Sequence, residues 1–110
     1  MEFKTFPGAY KKAIEMFGKE KQSVVAIEEL SELTHELTKM LRGCGDRAHL
    51  VEETADAILM IDQIVEMYHL DPQEIQNQIT RKATRLWERV NASEKAVKDL
   101  SAAETPEIRT

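Results

Sequence analysis

Two pairs of acidic residues recur at a spacing of three within segments of helical periodicity. Glu29 and Glu32 form the first pair, and Glu53 and Asp56 form the second. Because residues three apart lie on one face of an α-helix, each pair presents two carboxylates together. Two such pairs on neighbouring helices would make an oxygen cage suited to a hard divalent cation. The spacing therefore predicts a metal site, and the simpler alternative is a solvated acidic face.

Two charged residues occupy positions where the helical pattern is otherwise apolar. Glu53 falls between the directions of Met60 and Ile64, and Lys82 falls within the apolar stripe of a later helix, beside Arg85. A carboxylate among apolar side chains must be protonated, paired or bound to a cation. Lysine and arginine are good phosphate partners. A polyphosphate with its metal would explain both features; alternatively, the basic side chains reach solvent and pair with the acids.

Apolar periodicity and helix-terminating residues divide the chain into four predicted helices. Asp71 and Pro72 supply an N-cap and a first helical residue for the last of them. We therefore predict an all-α helical bundle as a single domain over residues 1–97, followed by a disordered tail over residues 98–110. The predicted helices are a short one ending before Gly18 and three longer ones over about residues 19–43, 50–70 and 72–97.

The predicted helices suggest an oligomer. A second helix of about 24 residues would be roughly 36 Å long, whereas a domain of this size has a radius of gyration of about 13 Å. The third helix is apolar on two sides, with one stripe that includes Ile61 and Tyr68 and another that includes Met60 and Met67. The remaining helices of one chain can hardly cover both sides. We expect a homodimer or homotetramer.

Composition excludes several classes of protein. A net charge of −5 argues against binding a nucleic acid polymer, which needs a continuous basic surface. No apolar run reaches the length of a membrane span and the N-terminal residues lack the apolar core of a signal peptide. The lone cysteine, Cys44, cannot form an internal disulfide. These features predict a cytoplasmic protein without a membrane partner.

The acidic motifs and their surroundings resemble a known family. Glu29-x-x-Glu32 and Glu53-x-x-Asp56, within FGKEKQSVVAIEELSEL, LRG and VEETADAILMIDQI, are similar to the signature of MazG-like all-α nucleoside triphosphate pyrophosphohydrolases. The match covers roughly residues 14–90, and these segments resemble those of small stand-alone phage and bacterial members. The resemblance implies a MazG-like oligomeric helical bundle. It also implies hydrolysis of nucleoside triphosphates or their deoxy forms to monophosphate and pyrophosphate.

The resemblance also assigns roles to individual residues. Glu29, Glu32, Glu53 and Asp56 are the implied catalytic ligands of Mg²⁺, for which Mn²⁺ can substitute. In the implied mechanism, an activated water attacks the α-phosphorus. The implied phosphate-binding residues are Lys39, Lys82 and Arg85, and the candidate nucleoside-binding residues are Phe17, Gln22 and Gln63.

Two other functions fit parts of the sequence. Glu32-x-x-His35 and Glu66-x-x-His69 have the spacing of di-iron carboxylate proteins, although such a site requires both histidines to point inward. A non-catalytic helical dimer, acting as an interaction or regulatory module, would explain the apolar helices. It would not explain Glu53 and Lys82 at apolar positions. The sequence does not identify the nucleotide. Aberrant nucleotides, deoxynucleotides of the cellular pool and a signalling nucleotide are all compatible substrates.

Overall fold

A computed structural model describes the backbone of residues 2–109 and the side chains of residues 2–103. Within this range the chain forms four α-helices and no β-strand, which confirms the predicted all-α class. None of these helices carries an apolar segment of membrane-spanning length. The chain divides after Asp71 into two units, the second beginning at Pro72. The helices are α1 (Pro7–Phe17), α2 (Lys19–Leu41), α3 (Arg47–Met67) and α4 (Pro72–Arg109).

A tight turn connects α2 to α3. Gly43 has a φ of 77°, in the left-handed region that glycine adopts without steric cost after a helix C-terminus. A Cβ atom on Gly45 would lie 2.9 Å from the Cα atom of Met40, so the backbone passes Met40 too closely for any larger residue. Asp46 then caps α3 by accepting a hydrogen bond of 2.9 Å from the backbone N–H of Ala48. The sequence Gly43-Cys44-Gly45-Asp46 thus ends one helix and caps the next, as glycine and aspartate favour at these positions.

The first unit is built on the packing of α2 against α3, with α1 contacting both helices. Its buried apolar residues come from all three helices. Two of them are alanines, Ala26 on α2 and Ala57 on α3. Small side chains allow two helix backbones to approach closely. The buried apolar residues are Tyr10, Ala26, Ala57, Met60 and Met67.

The face of α2 that packs inward is the polar face. Gln22, Ala26 and Glu36 are buried on α2, and Glu29 and Leu33 are partly buried on the same side. By contrast, the sequence predicts one apolar stripe on α2, formed by Ala26, Leu30, Leu33, Leu37, Met40 and Leu41. Four of these six residues are exposed, namely Leu30, Leu37, Met40 and Leu41. The inner surface of α2 therefore carries carboxylates and amides, and most of its leucine stripe is left uncovered.

Helix α3 has one apolar band that is buried and one that is partly exposed. Met60 and Met67 are buried, whereas Ile61 is 51% exposed and Tyr68 is 47% exposed. Ile58 and Val65, in the same band as Ile61, are half-buried. The helices of the first unit therefore cover one band and only part of the other.

Helix α4 is longer than the sequence predicts. It begins at Pro72, as expected, and continues to Arg109, beyond Val97 where the periodicity fades. The segment from residue 98, for which the sequence predicts disorder, is thus helical up to the last described residue. No glycine or proline interrupts residues 73–105, which explains why the backbone can continue as a helix. The extent of the folded domain remains a prediction.

The close approach of α2 and α3 gives a test of the packing. Ala57→Leu inserts a larger side chain at a buried position, and we expect it to destabilise the protein by about 1 to 3 kcal/mol through overpacking. Ala48→Leu is the matched control because Ala48 is exposed on the same helix. Urea unfolding followed by circular dichroism measures both changes. Equal stability of the two variants would contradict the observed packing.

Candidate metal centre

Helices α2 and α3 run antiparallel and place their polar residues in successive layers. At one layer the side-chain amide of Gln22 donates a 2.8 Å hydrogen bond to the side-chain carbonyl of Gln63. Further along α2, Glu29 lies beside Asp56. One turn later, the Glu32 carboxyl group forms a hydrogen bond with that of Glu53. The antiparallel register therefore brings the two acidic motifs together, as their spacing predicts.

Three of the carboxylates form a compact group. Glu29, Glu53 and Asp56 each offer one oxygen, and these oxygens lie within 4.8 Å of one another. Glu32 joins the group through its hydrogen bond with Glu53. Oxygen ligands about 2.1 Å from an octahedral Mg²⁺ are roughly 3 to 4 Å apart, so small side-chain rotations would bring these oxygens onto one ion.

The electrostatic environment of the cluster is repulsive. Partial burial raises the pKa of the Glu29 carboxyl, and the neighbouring Asp56 raises it further through charge repulsion and a hydrogen bond that favours the protonated form. Partial burial also raises the pKa of Glu53, followed in importance by its hydrogen bond with Glu32 and by repulsion from Glu32, Asp56 and Glu29. A bound cation would oppose every one of these effects.

The donor atoms needed by a cation are also unsatisfied. One oxygen of Glu29 and one oxygen of Glu53, both Oε2, are buried without a hydrogen-bond partner. Among the described residues, no ion pair includes Glu29, Glu53 or Asp56. Buried carboxylate oxygens ordinarily have a partner, which is protein, water or a metal ion. The residues present therefore fit a divalent cation such as Mg²⁺.

Glu36 continues the acidic face of α2 by one further turn. Its side chain is buried, its Oε1 lies 3.3 Å from the Nζ atom of Lys39, and its Oε2 has no hydrogen-bond partner. Lys39, expected to assist phosphate binding, therefore forms an ion pair with Glu36 in this structure. The spacing of four places Glu36 on the same helix face as Glu32. Its burial, however, results from tertiary packing and could not be predicted from that spacing.

The candidate nucleoside-binding residues have different environments. Gln22 and Gln63 are buried and bonded to each other, and the amide of Gln63 also lies 3.5 Å from the sulfur of Met60. Phe17, at the end of α1, is 52% exposed. Tyr10 is buried nearby in sequence on α1, and its hydroxyl has no hydrogen-bond partner. The structure thus brings the two glutamines together and leaves Phe17 at the surface.

The basic residues of α4 form a cluster of their own. Lys82, Arg85 and Arg89 line a small cleft of about 220 Å³ together with Leu86. All of these side chains are exposed. Arg89 belongs to the basic cluster that the sequence shows, although no phosphate-binding role is predicted for it, and it lies one helical turn beyond Arg85. The cluster can bind an anion through three cationic side chains.

An apolar groove lies elsewhere on the first unit. It has a volume of about 510 Å³, and its walls include Phe3, Leu50 and Ile58. None of the clustered carboxylates lines it. This apolar groove is therefore separate from the candidate metal centre.

The histidines do not support a di-iron site. His35 and His69 are both exposed. The residues able to share an ion in the described part of the chain are carboxylates alone. A di-iron carboxylate centre uses a histidine from each Glu-x-x-His motif, directed into the core.

Comparison with known proteins gives no family assignment: no protein-family model, curated protein or solved structure matches this chain.

The repulsion at Glu53 gives a pH-dependent prediction. In the metal-free protein, Glu53→Gln removes one of the repelling charges and should melt at the same temperature as the wild type or higher near neutral pH. The pKa of Glu53 in the folded protein is raised above the ordinary value of 4.5. The wild type should therefore be as stable as Glu53→Gln below that value. It should become less stable than the variant as the pH rises through the pKa of Glu53 in the folded protein.

Thermal melts in a chelator, at about pH 3.5 and about pH 7.5, measure this difference. Glu52→Gln is the control, because Glu52 is exposed and adjacent in sequence. Added Mg²⁺ should stabilise the wild type more than Glu53→Gln. A Glu53→Gln variant that melts well below the wild type without metal would instead indicate that Glu53 is a structural partner of a base.

Proposed function

We propose that this protein is a Mg²⁺-dependent nucleoside triphosphate pyrophosphohydrolase. The observation that carries the proposal is the carboxylate cluster, in which buried oxygens of Glu29 and Glu53 have no partner. A site with several carboxylates and no histidine suits a hard cation such as Mg²⁺, with Mn²⁺ as a substitute. The resemblance of the two acidic motifs to MazG-like enzymes gives the reaction.

The ligand set consists of Glu29, Glu32, Glu53 and Asp56. With four carboxylates, the site carries more negative charge than one divalent ion neutralises, and these four side chains would hold the ion. When bound, Mg²⁺ polarises the phosphate oxygens and lowers the pKa of a coordinated water. The protein residues hold these partners in line with the α-phosphorus and the leaving pyrophosphate.

The basic residues supply the complementary charge. Lys82 and Arg85 contact the phosphates of the substrate in this proposal, and Arg89, which lines the same cleft, can extend the contact. Phosphate binding requires cationic donors more than a nucleophilic side chain. Lys39 contributes to phosphate binding in this proposal, because its ammonium group can contact a phosphate while it remains paired with Glu36.

Proton removal from the attacking water is assigned to a carboxylate outside the ligand set. The candidates are Glu28 and Glu36. Glu28 is exposed, whereas Glu36 is buried and has one unpartnered oxygen on the face that carries Glu29 and Glu32. The unpartnered oxygen makes Glu36 the better base, with Lys39 holding its other oxygen.

The second candidate function is a non-catalytic helical dimer that acts as an interaction or regulatory module. Its support is the exposed apolar surface of α2, including Leu37 and Leu41. Calorimetric titration with Mg²⁺ or Mn²⁺ distinguishes the two functions. Binding at millimolar concentration or below supports the enzyme, and no binding supports the module.

The site of bond cleavage is the first test of the proposed reaction. Hydrolysis in ¹⁸O-labelled water should place the label in the nucleoside monophosphate, because water attacks the α-phosphorus. Mass spectrometry of the separated products measures this. Label in pyrophosphate would indicate attack at the β-phosphorus, and release of diphosphate with free phosphate would contradict the proposal. A panel of ribo- and deoxynucleoside triphosphates in the same assay identifies the preferred base and sugar.

Substitution in the cluster provides a second test. Asp56→Asn should lower the turnover rate by at least about 100-fold, because it removes a charged ligand from the ion that organises the reaction. Glu52→Gln, an exposed neighbour on the same helix, should retain wild-type turnover. Pyrophosphate release at saturating Mg²⁺ is the measurement. Equal rates for the two variants would remove Asp56 from the site.

The basic cluster provides a third test. Arg85→Ala should raise the KM for triphosphate about tenfold or more, because the cost of losing one charge-assisted phosphate contact is at least about 1.4 kcal/mol. Lys95→Ala is the control on the exposed surface of the same helix. Steady-state kinetics over a range of substrate concentrations separates KM from kcat. An unchanged KM would exclude Arg85 from phosphate binding.

A further inference from the structure

The exposed face of α4 has the repeat of a coiled coil. From Ile79 to Leu100, residues spaced alternately by four and three form a single seam. In heptad notation, Ala83, Val90 and Val97 occupy a positions. The d positions are occupied by Ile79, Leu86, Ser93 and Leu100. The pattern covers about three heptads, the length at which such a repeat becomes informative.

The outer positions of the same heptads are polar. Within residues 79–100, the b, c and f positions face away from the seam, and among them only Ala92 lacks a polar side chain. The others are Arg81, Thr84, Arg85, Glu88, Asn91, Lys95, Lys98 and Asp99. A narrow a and d stripe with polar outer positions is typical of a coiled-coil seam, whereas a helix packed in a globular core has a broader apolar face. Trp87 at an e position and Ala96 at a g position border the stripe.

The apolar residues of this seam are uncovered. Ile79, Leu86 and Val90 are exposed, and the exposed fraction reaches 63% at Val97 and 65% at Leu100. An isolated helix gains too little from its own hydrogen bonds to be stable in water without tertiary packing. A helix of 38 residues therefore needs a partner that covers the seam.

Residue types at the seam identify the partner as a second, parallel copy of α4. Valine at a positions with leucine at d positions favours parallel two-stranded coils, and here Val90 and Val97 alternate with Leu86 and Leu100. In the parallel register the g residue Arg89 faces the e residue Glu94 of the other strand. These opposite charges attract across the seam. An antiparallel pairing would instead align g positions with each other, where Lys82 and Arg89 repel.

We propose that α4 forms a parallel, in-register coiled coil with α4 of a second copy of this chain, along residues 79–100. The seam uses the a and d residues, and Arg89 pairs with Glu94 across it. Glu94 already bonds Lys98 of its own helix at 3.5 Å, and its carboxylate has capacity for a second cationic donor. This proposal is independent of the proposed function, because it rests on the exposed seam of α4 alone.

A disulfide at position 93 tests the geometry. In a parallel in-register coil, each Ser93 faces its counterpart, and the two Cα atoms come within the range of about 4.4 to 6.8 Å that a disulfide spans. In an antiparallel coil, d residues face a residues, so two residues at position 93 do not meet. The test variant is Ser93→Cys in a Cys44→Ser background, since Cys44 is free and exposed.

Mild oxidation of the full-length variant should give a covalent dimer on a non-reducing gel. Lys95→Cys in the same background is the control, because residue 95 is an outer f position, and it should remain mostly monomeric on the gel. Light scattering of the wild type should give a dimer or a multiple of it. A 12.6 kDa monomer, failure of Ser93→Cys to cross-link, or equal cross-linking of both variants would each overturn the proposal.

A second variant tests the seam without oxidation. Ser93→Leu replaces a polar d residue with the preferred one, and should lower the dissociation constant of the oligomer about tenfold or more. Lys95→Leu adds the same side chain at the outer surface and should leave that constant unchanged. Sedimentation velocity over a dilution series measures both. Equal effects of the two variants would mean that position 93 is not in an interface.

Discussion

Repulsion among carboxylates between α2 and α3 is the constraint on which the first unit depends. The two helices pack against each other with Ala26 and Ala57 buried, and one oxygen each of Glu29, Glu53 and Asp56 lies within 4.8 Å of the others. Burial and mutual repulsion raise the pKa values of Glu29 and Glu53, so the folded protein stabilises the anionic forms less well than water does. A bound cation would offset this repulsion, so the proposed metal would stabilise the folded protein.

This constraint also explains the uncovered apolar surface. Because α2 turns its carboxylates and amides toward α3, its leucines face away, and Leu37 and Leu41 are exposed. The covered apolar residues of the first unit are few and include two alanines. Burial of so little apolar area supplies a small share of the free energy that offsets chain entropy. Exposed apolar residues therefore remain on α2, on α3 and along α4, and the proposed assembly would cover those of α4.

The sequence predicted the helices and the acidic cluster because both follow from local rules. Asp46 and Pro72 mark helix starts through capping and the fixed φ of proline. The spacing of three fixes which carboxylates share a helix face, so one antiparallel contact was sufficient to bring Glu29 and Asp56 together.

The inward face of α2 was not predicted. A leucine stripe ordinarily marks the core, and here most of it is exposed. The ion pair of Lys39 and the bond between Gln22 and Gln63 depend on packing that no local pattern specifies.

The heptad register of α4 assigns separate surfaces to assembly and to anion binding. Arg85 occupies an outer c position, directed away from the seam, while Lys82 and Arg89 occupy g positions at its border. A residue at g keeps part of its side chain in solvent, since only a and d residues are enclosed. Pairing of two α4 helices would consequently leave Arg85 free and hold Arg89 beside Glu94 of the other strand. Charge on the cleft lined by Lys82, Arg85 and Arg89 would then depend on assembly. Dimerisation would partly neutralise the charge of Arg89 at one end of this cleft, and would leave Lys82 and Arg85 as the cations available to a phosphate.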